Sequence, residues 1–414
     1  MNFIDICSGI GGFRSALENN GHNCLAFAEI DKYAKQSYRA IYDTEGEDEL
    51  DDITAITDEH FRLYRGQCDI ITGGFPCQAF SIAGNRRGFD DTRGTIFFHI
   101  ARAIKEIQPS YVLLENVKGL FSHDKGRTFG TIIQALDELG YITEWGLFNS
   151  KYWGVPQNRE RVYILVTRKD VYDQPKLFDL LKQQKEVTTR LVDVLEDEVD
   201  EKYYLHSDKA YQLIRMIGDE HEVNNKIVVD ASVNDPKIKE VMNTVTSRYD
   251  SGIQNHKSIG GVVIEPKIAV PVLTPDRLNK RQNGRRFKED GEPMFTLTSQ
   301  DRHGIAIREA TKQGYAVAEQ GDSVNVSYPT SKTRRGRVGK QVAQTLQAGE
   351  VNQGVVMNNL RIRKLTPLEC WRLQGFTDEQ FYKAKESGVS NSQLYKQAGN
   401  SVSVPVVDAI VKCL

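Results

Sequence analysis

Apolar positions in the first 170 residues recur with two different periods. Short β-branched or aromatic runs at 3–7, 24–29, 69–72, 111–115 and 162–167 predict strands. Between them, stretches with helical spacing predict helices over 13–20, 32–41, 95–107 and 128–139; in the third, Ile96, Ile100, Ala103 and Ile107 share one face. Alternation of this kind builds βαβ units, so the expected fold class is α/β with a parallel sheet that binds its ligand at the carboxyl ends of the strands. From about 185 to 360 the rhythm is lost. Polar and basic loops separate short strand-like pieces such as 261–264 and one helix near 207–217. It resumes in LTPLECWRLQGF (365–376) and VSVPVVDAIVKCL (402–414). The pattern predicts a mostly irregular domain, 185–360, inserted into an α/β domain formed by 1–184 and completed by 361–414.

Composition narrows the class. The chain has 414 residues, 39% hydrophobic and 27% charged, enough for two globular domains. No uncharged apolar run approaches the ~18 residues of a membrane helix. The start MNFIDICSGIGG reads as a strand and turn rather than a secretory leader. Six cysteines (7, 24, 68, 77, 370 and 413) contain no C-x-x-C pair, so neither a metal site nor a disulfide scaffold is expected, and a reducing cytoplasm fits. A formal net charge of −2 excludes a histone-like polycation. The charge is nonetheless uneven, with 14 basic and 8 acidic residues over 276–340, densest in RLNKRQNGRRFK (277–288) and KTRRGRVGK (332–340). One charge run is ordinarily a solvated surface; two basic, glycine-containing clusters in one stretch point equally to a polyanion.

Several residues carry candidate chemistry. Asp5-x-x-Ser8-Gly9-Ile10-Gly11-Gly12 falls where the first strand yields to a helix, and glycines there admit a ligand close to the backbone. Glu29 ends the second strand, placed to hold a ribose hydroxyl pair. An NAD-type G-x-G-x-x-G would need glycine at position 14, where the chain has Arg14; this disfavours a dinucleotide and leaves S-adenosylmethionine open. In GGFPCQAFSIAG (73–84), Cys77 follows Pro76 at the end of a strand, where a thiolate nucleophile is useful. Free cysteines are more often small core residues, so the setting carries the argument. Glu115 closes the apolar run YVLL, where packing gives a carboxylate no reason to be. Arg159 and Arg161, in QNRER, are ordinary edge charges unless the strand they open borders the crevice.

In this order DICSGIGGF, GGFPCQAFS, ENV, QNRER, RKLTPLECWRLQGF and QAGNSV resemble the motifs of the cytosine-5 DNA methyltransferases, from residue 3 to the C-terminus except about 185–360. The resemblance implies a Rossmann-like, S-adenosylmethionine-dependent methyltransferase fold with an inserted target recognition domain, and a bacterial or phage origin. By resemblance, Cys77 attacks carbon 6 of a cytosine flipped out of duplex DNA, Glu115 engages ring nitrogen 3, and Arg159 and Arg161 support them. Methyl transfer to carbon 5 then leaves S-adenosylhomocysteine. Asp5, Cys7, Gly9, Gly11, Glu29, Ile30, Asp52, Ile53, Pro76, Asn400 and Ser401 line the cofactor site. Cys7 stands where the family often has an aromatic residue. Gln78, Ser81, Arg285, Arg286, Thr296, Leu297, Thr345 and Leu346 are the expected DNA contacts. The expected state is a monomer without membrane association, and a restriction endonuclease, acting separately, is compatible with this role.

Three other readings are weighed. A tRNA cytosine methyltransferase has the same motifs, but the long basic insert favours duplex DNA. A non-catalytic DNA-binding regulator is opposed by the intact Cys77, Glu115 and Arg159. An NAD-linked oxidoreductase is opposed by Arg14 and Cys77. Within the insert, Thr244-Val245-Thr246-Ser247, Thr296-Leu297-Thr298-Ser299 and Thr345-Leu346-Gln347-Ala348 form a degenerate repeat, each followed by glycine and a β-branched residue. They read equally as three hairpins of common composition or as copies of the family's Thr-Leu recognition element. The copy at 345 is expected to be a reader and that at 296 a further candidate; the copy at 244 is the weakest.

Overall fold

A computed structural model describes residues 1–76, 96–185, 188–204, 227–229, 238–245, 262–266, 305–308, 315–318, 323–325, 338–339, 353–355 and 360–414. They fall into two compact units. The first comprises Met1–Tyr203, Val228–Val262 and Lys364–Leu414; the second comprises Tyr204–Ile227 and Val263–Arg363.

The first unit is built on a seven-stranded sheet. Its strands are β1 (Asn2–Ile6), β2 (Asn23–Ala28), β3 (Asp48–Glu49), β4 (Ile70–Gly74), β5 (Tyr111–Val117), β6 (Tyr141–Asn149) and β8 (Glu160–Arg168), in the order β3-β2-β1-β4-β5-β8-β6. Helices α1 (Gly12–Asn19), α2 (Lys32–Ile41), α3 (Asp58–Arg62), α4 (Ile96–Ile107) and α5 (Arg127–Glu138) lie between the strands in sequence, and the short α6 (Leu177–Leu181) follows β8. The predicted apolar face of α4 is buried, with Ile100, Ala103, Ile104 and Ile107 all at 0% exposure. The strand order reverses between β1 and β4, which both pair with parallel neighbours and whose C-terminal ends therefore open one crevice.

The sheet is not wholly parallel as expected. β8 runs antiparallel to both β5 and β6. The cause is local: β6 and β8 are joined by only 150–159, too short for the helical crossover a parallel neighbour requires. The apolar run Val162–Val166 is inserted between β5 and β6 and is buried on both faces. β6 itself escapes the hydrophobic pattern because its middle is half exposed, down to Trp145 on the surface.

The C-terminal return completes this unit. Thr366 and Glu369 in LTPLE form a reciprocal cap on α7 (Pro367–Arg372), with Pro367 in its first turn. Helices α8 (Asp378–Glu386), α9 (Asn391–Asn400) and α10 (Val404–Val411) follow. Asn20 at the end of α1 donates to Asp408 of α10 at 2.8 Å, and Ser37 of α2 donates to Gln397 of α9 at 3.0 Å. Part of the region predicted as an insert also belongs here: β9 (Met242–Asn243) pairs in parallel with the short β7 (Gln157–Asn158). In the second unit, Val263–Pro266 pairs antiparallel with Leu360–Arg363, Ile305–Arg308 with Tyr315–Ala318, and Ser323–Asn325 with both Val338–Gly339 and Gln353–Val355. The helix expected near 207–217 lies outside the described residues. Among the described residues, no helix is long and apolar enough to cross a membrane.

One core residue makes the fold pH-sensitive. Asp5 on β1 is fully buried; its Oδ1 accepts from Thr72 at 2.9 Å, and Oδ2 has no hydrogen-bond partner among the described residues. Burial pushes its carboxyl up to about 8, against partial relief from Thr72 and Arg14. Between the ordinary carboxylate range near ~4 and about 8, the unfolded chain releases a proton that the folded chain keeps. Stability from this group is therefore full at acid pH and declines by up to ~1.4 kcal/mol per pH unit as pH rises through that window. Asp5→Asn keeps an acceptor for Thr72 and should flatten urea-denaturation stability between pH 5 and pH 8; an unchanged slope would place the titration elsewhere.

Candidate active site

The turn after β1 forms one wall. Cys7, Gly9 and Gly11 all have positive φ, at 54°, 56° and 80°, so the chain curls left-handed before α1 begins. A side chain at Gly9 would project into open space, whereas one at Gly11 would strike the Tyr42 ring at 2.3 Å. Glu29, just beyond β2, fastens the turn: its Oε2 accepts from the Gly9 amide at 2.8 Å and its Oε1 from the Asp31 amide at 2.7 Å. A carboxylate has about four acceptor positions, so Glu29 retains capacity for further hydroxyl donors. Arg14 takes the place of a third glycine because it is a strut. It is buried and donates to both oxygens of Glu47 at 2.7 and 2.8 Å and to the Asp43 carbonyl at 2.7 Å. Burial, reinforced by the Glu29, Asp5 and Asp52 carboxylates, pushes the Cys7 thiol up to about 12, so it is a neutral wall and no nucleophile.

The opposite wall is charged. Glu115 sits near the end of β5 and is 9% exposed. Burial raises its carboxyl, and Arg161 followed by Arg159 oppose that rise without cancelling it. Arg161 Nε lies 3.1 Å from Glu115 Oε1. Arg159 is 2% exposed and points the other way, donating to the Ser401 carbonyl at 2.6 Å and the Gly399 carbonyl at 3.3 Å. Desolvation, with the neighbouring Arg161, brings Arg159 down to about 10, still charged at neutral pH. Asn116 donates to the Phe75 carbonyl at 2.8 Å, tying the end of β5 to the segment that leads into Pro76 and Cys77.

These walls enclose a cavity of about 470 Å³ in the first unit. Of the predicted residues, Cys7, Gly9, Glu29, Pro76, Glu115, Arg159, Arg161, Asn400 and Ser401 line it. Asp5, Gly11, Ile30, Asp52 and Ile53 do not. Asp5 and Ile53 are in the core, Gly11 backs onto Tyr42, Ile30 is 73% exposed beside Glu29, and the exposed Asp52 accepts from the Thr54 amide. Cys77, Gln78, Ser81, Arg285, Arg286, Thr296, Leu297, Thr345 and Leu346 lie outside the described residues.

Sequence reading missed the side supplied by α2 and α9. Lys396 pairs with Asp31 at 2.7 Å, Gln397 donates to the Tyr33 carbonyl at 2.9 Å, and all but Tyr33 border the cavity. Asp31 could have been found as the N-cap of α2, since it accepts from the Tyr33 and Ala34 amides. Nothing local marks Lys396. The site suits a ligand with several polar groups: Ser8 Oγ borders it, buried and without a hydrogen-bond partner among the described residues, and Gly9 leaves room for close approach.

Comparison with known proteins agrees with this geometry. The sequence matches the C-5 cytosine-specific DNA methylase family over residues 1–414. It is 36% identical to the orphan methyltransferase M.SPRI of Bacillus phage SPR, covering 100% of this chain and 97% of that protein. It is 34% identical to the type II methyltransferase M.HpaII of Haemophilus parainfluenzae, over 100% of this chain and 88% of the relative. In fold it resembles the Dnmt2 methyltransferase of S. pombe, with a TM-score of 0.56 at 17% identity, covering 100% of this chain and 97% of that one. A Rossmann-like sheet with a buried carboxylate paired with an arginine at its crevice, and a family match along the whole chain, lead to one assignment: the protein belongs to the C-5 cytosine-specific DNA methylases and is a DNA cytosine-5 methyltransferase.

Proposed function

We propose that the protein methylates carbon 5 of a flipped cytosine in a short specific sequence of double-stranded DNA, through a covalent adduct with Cys77, with S-adenosylmethionine as methyl donor. The observation that carries this reading is Glu115, a buried carboxyl raised by its surroundings yet held beside Arg161, on a strand tied through Asn116 to the approach to Cys77.

The chemistry follows from the poor electrophilicity of cytosine. Thiolate addition to carbon 6 pushes electron density toward ring nitrogen 3, and a proton or strong hydrogen bond from Glu115 there stabilises it. The Cys77 sulfur–carbon 6 bond forms as the ring double bond shifts, making carbon 5 nucleophilic. S-adenosylmethionine supplies the electrophilic methyl group when bound. Gly9, Glu29, Asn400 and Ser401 would hold it, with Cys7 flanking. A base then removes the carbon 5 proton, the double bond re-forms, and Cys77 departs as thiolate. Arg161 keeps Glu115 oriented. Arg159 holds the C-terminal end of α9 and Ser401 against the cavity.

The insert, with its basic excess over 276–340, supports a role in grasping and reading duplex DNA. The orphan designation of the phage relative favours protection of DNA without a dedicated endonuclease over a restriction–modification pair.

The direct test uses methyl-labelled S-adenosylmethionine with duplex DNA or tRNA. Label should enter DNA as 5-methylcytosine; label in tRNA alone would replace this reading with the RNA one. Glu115→Gln should lower turnover by about a hundredfold or more while DNA affinity changes little. Because burial raises Glu115, wild-type turnover should decline on the alkaline side as this carboxyl loses its proton, and the variant's residual activity should lack this limb. Parallel loss of binding and turnover would make Glu115 a recognition residue. Arg285→Gln together with Arg286→Gln should flatten the log–log salt dependence of nonspecific DNA binding by up to ~2 units; an unchanged slope would put both away from the phosphates.

A further inference from the structure

The strip 157–161 alternates as a strand should: Gln157 and Arg159 are buried, Asn158 is exposed, and Arg161 turns back toward Glu115. Gln157 has no part in the chemistry above, yet its exposure is 0% and both ends of its amide are used. Its Nε2 donates to the Leu373 carbonyl at 2.7 Å, and its Oε1 accepts from the Val245 amide at 3.2 Å. One residue on, Thr244 Oγ1 donates to the Asn158 carbonyl at 2.9 Å, and Asn149 donates to Asn158 Oδ1 at 2.6 Å. The backbone of β9 pairs with the same two residues, Met242 with Gln157 and Asn243 with Asn158. Val245 is fully buried.

Thr244 and Val245 open the first of the three similar segments noted in the sequence. A residue that reads base edges must present free donors and acceptors to a groove. Here the Thr244 hydroxyl and the Val245 amide are both engaged by the protein, two residues from Arg159 in the strip they hold. We infer that Thr244 and Val245 form an intramolecular latch and not a reader, and that Gln157, gripping them on one side and the end of α7 on the other, is the positioning residue for Arg159 and Arg161. Three peptide segments distant in sequence meet on one amide. Slippage there moves the arginines that orient Glu115 and the end of α9, and a misplacement of about 1 Å at a reacting centre can cost about a hundredfold in rate. Residues 242–245, though inside the stretch expected to be an insert, thereby serve the catalytic strip within the first unit, separately from the expected readers at 296 and 345.

This inference rests on the proposed methyl transfer and is tested with the full-length enzyme. Gln157→Met preserves length but forms neither bond; Thr244→Val removes the hydroxyl while keeping shape, and Thr244→Ser restores it. kcat and KM for duplex DNA, and the methylated sequence by bisulfite sequencing, are measured for each. Gln157→Met should lower kcat by about tenfold or more with KM within about threefold. Thr244→Val should lower kcat by a smaller factor, Thr244→Ser should recover it, and all three should methylate the wild-type sequence. Normal kcat in Gln157→Met, or a changed methylated sequence in Thr244→Val, would overturn the latch. If Gln157→Met does not fold, the Thr244 pair decides alone: equal kcat in Thr244→Val and Thr244→Ser, or a changed sequence, counts against it. A wild-type enzyme that methylates no duplex DNA would instead remove the proposed function, whatever the variants do.

Discussion

A carboxyl group kept from water beside an arginine is the constraint around which the first unit is arranged. Glu115 pays a desolvation cost that Arg161 and Arg159 only partly offset, and its proton is held more tightly than in water. Such a site persists only if its neighbours are immobile. β5, which carries Glu115, is enclosed between β4 and β8; Arg161 comes from β8 itself, so the ion pair spans adjacent strands of one sheet. Arg159, two residues earlier, is fixed by carbonyls that lie some 240 residues on in the chain.

That distance explains the architecture of the first unit. The end of α9 with Ser401 and Val402 supplies one wall of the cavity, so the sheet does not enclose the candidate site until the C-terminal residues return. Several junctions of the return are polar bonds in buried or half-buried places: Asn20 with Asp408, Ser37 with Gln397, Asp31 with Lys396. Buried polar groups that find specific partners favour one arrangement over near alternatives, because any shift leaves them unsatisfied. The two arginines and Gln157 act in the same way on the strip that borders the crevice.

Much of this was legible in the sequence. The helical and strand periods marked β1, β2, β4, β5 and β8, because their buried runs are continuous, and they placed Glu115 where packing does not explain it. The antiparallel direction of β8 was not read, although the short link 150–159 contains the reason. β6 stayed hidden because a half-exposed strand near a sheet edge blurs the apolar pattern. Ordered motifs pointed to Cys7, Gly9, Glu29, Arg159, Arg161, Asn400 and Ser401, all at the cavity. The same motifs mixed binding with support: Asp5 and Gly11 belong to the turn motif but serve the core and the packing on Tyr42. Lys396 and Gln157 could not be read locally, since their partners are set by tertiary packing alone. The Thr-Val segment at 244 resembled the other two copies in composition, and only its hydrogen bonds separate it from them.

The central claim is that the buried Glu115 cluster serves a covalent attack by Cys77 on cytosine. Duplex DNA containing the methylated sequence with 5-fluorocytosine at the target, incubated with S-adenosylmethionine, tests it most directly. Fluorine at carbon 5 cannot leave as a proton, so release of the cysteine stalls after methyl transfer. A denaturant-resistant protein–DNA complex is expected, with the adduct mapping by peptide mass to Cys77 and absent from Cys77→Ser. Normal turnover by Cys77→Ser, or no trapped complex from an enzyme that methylates ordinary DNA, would contradict the account.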